Sequence, residues 1–107
     1  MPEADLPARM ADGRLYLPAA TCAQGLAGCV AVALLAEQGQ WWLLPLQGGA
    51  GGLQLKQRNA RGDRVIEARE FLRAQGLADD AAPLALRLRF VPTRGAFALL
   101  RVDEAPI

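Results

Sequence analysis

The chain has 107 residues and a mass of 11.4 kDa, which is the size of one domain with a single small core. Its residues are 52% hydrophobic and 21% charged, and its net charge is +1, so the composition excludes a disordered chain and a strong overall attraction to polyanions. The chain contains no histidine, which excludes an imidazole general base, Ser/His and Cys/His nucleophile pairs and most zinc sites.

The first residues predict an intracellular location. Two acidic residues lie within the first five positions, where a secretory signal would have basic residues before an apolar run. The longest weakly polar stretch, residues 26–36, is about half of the roughly 20 residues that a membrane-spanning helix needs. We therefore expect a cytoplasmic protein without a membrane anchor. It should fold as one domain over residues 1–107, with residues 1–12 as a flexible arm and residues 103–107 as a tail.

The middle of the chain is almost without charge. Between residues 15 and 55 the only charged side chain is that of Glu37, so most of this segment must be buried. Residues 30–36 and 41–46 are apolar at successive positions, which predicts two strands covered on both faces and joined as a hairpin. A further strand is predicted over residues 14–17.

A glycine-rich segment follows the predicted hairpin. Four glycines within residues 48–52 predict a flexible loop, because glycine loses more backbone entropy on ordering than any other residue. The glycines of this loop are Gly48, Gly49, Gly51 and Gly52.

The second half of the chain predicts strands on both sides of a helix. Residues 53–58 alternate between apolar and polar side chains, as a half-exposed strand does. The apolar spacing that follows predicts the main helix over about residues 63–75, with the Asp63 carboxylate as its N-terminal cap. Residues 84–91 and 96–102 predict a second hairpin.

The order of these elements predicts an α+β fold. We expect a largely antiparallel sheet of five to six strands with one main helix, about residues 63–75, packed on one face. The two central strands are apolar on both faces, so the second face of the sheet needs another cover. We predict a homodimer in which a twin subunit supplies it. The alternative is that the N-terminal arm and residues 18–28 fold back over the sheet.

The two cysteines do not form a known motif. Cys22 and Cys29 are separated by six residues, which fits neither a redox pair nor the close cysteine pairs of zinc sites. We expect both to be buried, reduced thiols, and we predict no metal ion and no cofactor.

Basic side chains are concentrated in the second half of the chain. Residues 56–101 hold ten basic and five acidic residues, an excess of +5. Because arginine binds carboxylate and phosphate groups with two parallel hydrogen bonds, we predict that an arginine-rich face binds an anionic partner. Its residues are Lys56, Arg58, Asn59, Arg61, Arg64, Arg87 and Arg89. The alternative is a solvated face whose arginines pair with acids such as Glu67 and Glu70. Trp41 and Trp42 lie in an apolar strand, so base stacking is not indicated.

One stretch suggests a nuclease. Gln54, Leu55 and Lys56 lie on the third strand of a predicted strand, strand, strand, helix run, which resembles the core of the restriction-endonuclease-like nucleases. The resemblance covers residues 30–72 and implies a lysine that assists metal-dependent hydrolysis of a phosphodiester. The acidic metal ligand of those enzymes is absent from residues 41–47, the preceding strand.

The residues therefore favour a non-catalytic binding or assembly module that contacts an acidic protein surface or nucleic acid. No catalytic residue is predicted. Two alternatives come from other classes of protein. One is a small phosphoester hydrolase in which Lys56, Arg58 and Arg61 stabilise charge. The other is a structural subunit of a larger complex that uses its apolar surface and not its arginines.

Overall fold

The computed structural model describes residues 5–46 and 51–102, which contain nine strands and two short helices. In chain order these are β1 (Leu6–Ala11), β2 (Arg14–Leu17), α1 (Ala19–Gly25), β3 (Ala31–Glu37), β4 (Gln40–Leu46), β5 (Leu53–Gln54), β6 (Lys56–Gln57), β7 (Arg64–Glu67), α2 (Arg69–Ala74), β8 (Leu84–Val91) and β9 (Ala96–Arg101).

All nine strands belong to one antiparallel sheet that curls into a nearly closed barrel. The strand order is β5, β3, β4, β9, β8, β1, β2, β7, β6. The first and last strands of this order, β5 and β6, are separated along the chain by Leu55 alone. One short stretch of chain therefore touches both edges of the sheet.

The closing segment, residues 53–57, joins the two edges through backbone pairing. Its first half pairs with β3, and its second half pairs with β7. Between the two halves, the Leu55 amide donates a hydrogen bond of 2.9 Å to the Val30 carbonyl. Each pairing covers two residues, so within the described residues β3 beyond Val32 has β4 as its only neighbour. The barrel is open along that part of β3.

The core lies inside the barrel and consists of aliphatic side chains from alternate strand positions. Leu15, Val32, Leu43, Ile66 and Leu88 are all fully buried and come from five different strands. This alternation is what a pleated strand produces when one face lines a core. Because the sheet curls on itself, the strands cover one another's inner faces.

The two helices lie at opposite ends of the barrel. In α1, the buried Thr21 hydroxyl donates to the Pro7 carbonyl at 2.7 Å, and Gly25 lies against Leu6 and Phe97. At the other end, the Phe71 ring of α2 meets Trp41 edge to face with centroids 5.4 Å apart. Within residues 5–46 and 51–102, no helix is long and apolar enough to cross a membrane.

The predicted α+β fold with one main helix over residues 63–75 is wrong. Residues 64–67 form strand β7, and only residues 69–74 are helical. The apolar spacing fitted a helix, but Ile66 lies opposite Leu15 in the register with β2 and is fully buried in the barrel. Pairing with β2 therefore overrides the local helical pattern. The sheet has nine strands and not five to six.

The start of the chain also differs from the prediction. Residues 6–11, which were expected within a flexible arm over residues 1–12, form β1 between β2 and β8. Leu6, Ala8 and Met10 are buried in alternation with exposed neighbours. Pairing with β2 on one side and β8 on the other orders this segment.

Barrel closure covers the inner face of the sheet without a second subunit. An open sheet would need such a cover, whereas a curled sheet covers its own inner face. The predicted hairpins of β3 with β4 and of β8 with β9 are both confirmed. The outer face of the first hairpin remains apolar, because Leu35 is 44% exposed beside the half-buried Trp42.

The glycine loop enters the closing segment through a tight contact. Gly48 and Gly49 lie outside the described residues. Gly51 and Gly52 both have a positive φ, of 94° and 82°. A Cβ on Gly52 would lie 2.9 Å from the Val32 carbonyl oxygen and would collide with the Leu46 side chain, whereas a Cβ on Gly51 would meet nothing within 4 Å. Gly52 is therefore required for close packing as well as for its backbone conformation.

We expect Gly52→Ala to destabilise the protein more than Gly51→Ala. Both substitutions place a Cβ at a positive φ, which costs about 1–2 kcal/mol, but only Gly52→Ala adds the collision, which should cost about 1–3 kcal/mol more. Urea unfolding of the two variants measures the difference. Equal losses of unfolding free energy would contradict the close packing at Gly52.

Candidate anion-binding site

The site is centred on Tyr16, which lies on the outer face of β2. Register places Arg9 of β1 beside it on one side and Val65 of β7 on the other. The Arg9 guanidinium carbon lies 4.6 Å from the centroid of the Tyr16 ring, and that of Arg58 lies 4.9 Å from it. Both distances are within the range of cation–π attraction. We call Arg9, Tyr16 and Arg58 the Tyr16 cluster.

The cations around Tyr16 make no ion pair in the part of the chain that the structure describes. Within residues 5–46 and 51–102, no carboxylate lies at ion-pair distance from Arg9, Arg58, Lys56 or Arg64. Lys56 shares the outer face, because it pairs with Val65 in the same row of side chains as Tyr16. Asp63 lines the cleft beside Tyr16 but pairs with Arg61, so the guanidinium groups of Arg9 and Arg58 remain without a direct ion pair among the described residues.

A tight turn at residues 59–63 sets the position of Arg58. The Asn59 side-chain oxygen accepts hydrogen bonds from the amides of Arg61, at 3.0 Å, and Asp63, at 3.3 Å. The Arg58 amide donates to the Asp63 carbonyl at 2.8 Å. Asn59, which is also a predicted partner-binding residue, holds the turn together through these hydrogen bonds.

Asp63 caps a helix, although not the predicted one. Its Oδ1 accepts a 2.7 Å hydrogen bond from the amide of Ala19, the first residue of α1, and its Oδ2 accepts one of 2.9 Å from the Asn59 side chain. These bonds stabilise the carboxylate form, so the Asn59 hydrogen bond first, and the Ala19 amide next, lower the pKa of Asp63. One side chain therefore ties the turn to α1.

Two clefts meet at Arg64, on either side of this turn. The Tyr16 cleft, of about 140 Å³, is lined by the Tyr16 cluster, Leu17, Pro18, Asp63 and Arg64. The apolar cleft, of about 450 Å³, lies between α1, residues 26–30, Leu55 and residues 61–64. The Arg64 side chain is held between them by a 3.2 Å hydrogen bond from its Nη1 to the Leu55 carbonyl.

Both cysteines line the apolar cleft as free, half-buried thiols. The Cys29 thiol donates to the Ala31 carbonyl at 3.0 Å, and the Cys22 thiol lies 3.6 Å from the Leu17 carbonyl. Burial is the main reason that the pKa of Cys22 is raised. A neutral thiol is a weak nucleophile, so this environment does not activate Cys22.

The other predicted arginines carry acidic partners. The Arg89 guanidinium donates two hydrogen bonds, of 3.0 and 2.9 Å, to the Asp5 carboxylate. The Arg87 guanidinium lies 3.9 Å from the same carboxylate. The hydrogen bond from Arg89 lowers the pKa of Asp5. Arg61, whose side chain is 80% exposed, lies 3.4 Å from Asp63. Of the predicted residues, the structure therefore gathers Lys56, Arg58 and Arg64 around the cluster.

Sequence reasoning missed Arg9 and Tyr16. Both lie in the first part of the chain, far along the sequence from the basic residues 56–101. The alternation of β1 could have placed Arg9 on an outer face, but only the pairing of β1 with β2 brings it to Tyr16. Arg14 lies nearby and is paired with Glu67 at 2.7 Å.

The strand, strand, strand, helix run that resembled a nuclease core is not formed. Lys56 lies on β6 and is followed by strand β7, not by a helix. Across the part of the chain that the structure describes, no group of three potential metal-ligating side chains comes together.

Comparison with known proteins found no matching family model, no matching curated sequence and no matching solved structure.

The hydrogen bonds from Ala19 and Asn59 to the Asp63 carboxylate, which we call the Asp63 bridge, predict a pH-dependent contribution to the stability of the protein. The pKa of Asp63 is lowered in the folded protein from its ordinary value of 3.8. The ionised Asp63 carboxylate therefore stabilises the folded protein fully above pH 3.8, and this stabilisation is lost as the pH falls through the lower pKa that Asp63 has in the folded state. We expect Asp63→Asn to lower the melting temperature at neutral pH, and the gap from the wild type to narrow below pH 3.8.

Thermal unfolding by circular dichroism over a pH series measures this gap. Asp80→Asn is the control, because Asp80 is exposed and has no ion pair among the described residues. A gap between wild type and Asp63→Asn that stays constant down to pH 2.5, a value well inside the titration range of carboxylates, would refute the bridge.

Proposed function

We propose that this protein is a non-catalytic module that binds an anionic partner through the Tyr16 cluster, with Lys56 and Arg64 extending the contact surface. The observation that carries the proposal is the pair of guanidinium groups, 4.6 and 4.9 Å from one tyrosine ring, without a carboxylate beside them in the described residues. We also propose the cytoplasm as its compartment, which the free thiols of Cys22 and Cys29 support.

The chemistry of arginine supports an anion as the ligand. A guanidinium that stacks on an aromatic ring keeps its N–H groups at its edge, where they can bind a carboxylate or phosphate. Arg9 lies on β1 and Arg58 follows β6, and in the sheet β1 and the β6–β7 hairpin lie on opposite sides of β2. The two guanidinium groups therefore approach Tyr16 from opposite sides. Holding these like charges on one ring is unfavourable until an anion compensates them.

The same chemistry supports a binding role over a catalytic one. Arginine stays protonated at physiological pH and cannot act as a general base. The cluster therefore supplies positive charge and hydrogen-bond donors, and the proposal assigns it no bond-making step.

We expect Arg58→Glu to weaken the binding of an anionic probe at least tenfold, since it replaces attraction with repulsion at the cluster. Arg101→Glu makes the same change of net charge at the opposite end of the barrel, against Trp41, and should change the affinity less than twofold. Fluorescence anisotropy with a labelled polyglutamate peptide and a labelled single-stranded oligonucleotide, at several salt concentrations, measures both effects.

Two results would contradict the proposal. One is the failure of the wild type to bind either probe at low salt. The other is an equal loss of affinity in the two variants, which would mean that only net charge matters.

We propose a second candidate function, self-association or assembly through the open edge of β3. Residues 33–37 pair with β4 alone among the described residues, so their second row of backbone groups faces away from the sheet. The edge carries no charge before Glu37, and Leu35 is 44% exposed. An uncharged apolar edge of this kind pairs readily with another strand, and a second copy of the chain would give the homodimer.

We expect Leu35→Lys to shift such a dimer to monomer, because a lysine on an edge strand opposes strand pairing. Val102→Lys is the control, since Val102 is similarly exposed, at 39%, just beyond the end of β9. Native mass spectrometry with light scattering gives the subunit number. A wild type that is monomeric at high protein concentration excludes this candidate and leaves the anion-binding proposal untouched.

A further inference from the structure

The apolar cleft lies directly beside the Tyr16 cluster, so the two can bind one ligand. Arg64 lines both clefts, and the Asn59–Asp63 turn separates them. The volume of about 450 Å³ is within the range of sites that hold small ligands or large side chains. This inference depends on the proposed anion binding and extends it to the identity of the partner.

The walls of the apolar cleft are almost entirely uncharged. Ala19, Ala23, Ala27, Leu26 and Val30 contribute to them. Val30 is 61% exposed, although it directly precedes the buried start of β3. An exposed branched side chain at the mouth of a cleft favours contact with another apolar group.

The two thiols in the cleft do not alter this character. The pKa of Cys22 is raised by burial, which keeps its thiol neutral, and the Cys29 thiol is bound to the Ala31 carbonyl. Burial therefore keeps the Cys22 thiol from adding a negative charge that would repel an acidic ligand.

The charge at the rim is positive. Arg61 and Arg64 are the charged residues that line the cleft. Arg64 uses one N–H in its bond to the Leu55 carbonyl, which fixes the side chain at the boundary between the clefts and leaves further N–H donors for a ligand. The surface thus offers an apolar cavity next to the fixed cation of Arg64.

We propose that the partner is a protein segment that places a bulky apolar side chain in the apolar cleft and an adjacent acidic side chain against Arg64 and the Tyr16 cluster. The positive charge of Arg64 and the Tyr16 cluster favours an acidic side chain in the partner. The uncharged walls of the apolar cleft favour an apolar side chain beside it.

Nucleic acid fits this surface less well. The Tyr16 ring, which could have stacked on a base, is already contacted by Arg9 and Arg58. The cleft walls offer few groups that could pair with the edges of a base. The acids nearby, Asp63 and Glu67, would also repel a continuous row of phosphates, whereas a short peptide can avoid them.

Two labelled peptides test the proposal. Both alternate Glu and Gly, and they differ only at the centre, where one has Phe and the other has Ser. We expect the wild type to bind the Phe peptide about tenfold more tightly, because an aromatic side chain loses its contact with water in the cleft.

Substitutions in the cleft make the test specific. Ala23→Trp fills the cleft from an exposed position of α1, so it should abolish the preference for Phe while leaving the affinity for the Ser peptide unchanged. Ala20→Trp is the matched control, since Ala20 is exposed on the same helix but does not line the cleft. Ala27→Trp fills the cleft from the loop after α1. It replaces Ala23→Trp in the test if Ala23→Trp lowers the melting temperature of the protein.

The outcomes separate this inference from the proposed function. Equal binding of the two peptides by the wild type would overturn the inference and leave anion binding intact. Failure to bind either peptide would overturn the inference, and failure to bind the single-stranded oligonucleotide as well would overturn the proposed function. Two further results would overturn the assignment to a protein segment. One is that a free fatty acid displaces the Phe peptide at a lower concentration than the unlabelled peptide does. The other is that a single-stranded oligonucleotide binds more tightly than the Phe peptide.

Discussion

The backbone pairing of residues 53–57 with both edges of the sheet is the constraint on which the rest of the structure depends. If β5 left β3, or if β6 left β7, the curled sheet would lose its closure and expose the aliphatic side chains inside it. The bend between the two strands is held from two directions. The Leu55 amide donates to Val30, and the Leu55 carbonyl accepts from the Arg64 guanidinium. Gly52 allows the chain to enter this bend without colliding with its neighbours.

The candidate site is built on the same stretch of chain that closes the barrel. Arg58 follows β6 directly, and Arg64 begins β7, so closure fixes where both cations lie. Asp63 then binds the turn between them to the start of α1. The placement of acids decides which cations remain available. Asp5 compensates Arg87 and Arg89, whereas no acid among the described residues reaches the guanidinium of Arg58.

The candidate surfaces adjoin one another at Val30. This residue lines the apolar cleft, accepts the hydrogen bond of the closing segment and directly precedes β3, whose later residues form the open edge. Binding of a segment in the cleft and pairing at the β3 edge would therefore involve neighbouring parts of one surface. The low charge of residues 15–55 is explained by this arrangement, since that segment supplies barrel interior, cleft wall and edge strand together.

The sequence by itself determined the strands of both hairpins and the apolar character of β3 and β4, because these depend on local alternation and composition. It could not determine that Val65 and Ile66 form a strand, since their spacing also suits a helix and only pairing with β2 decides between the two. Nor could it bring Arg58 to Tyr16, or Asp63 to Ala19, because those contacts join residues far apart in the chain. Closure of the barrel was decided by the tertiary structure alone, since it requires one short segment to satisfy two distant edges at once.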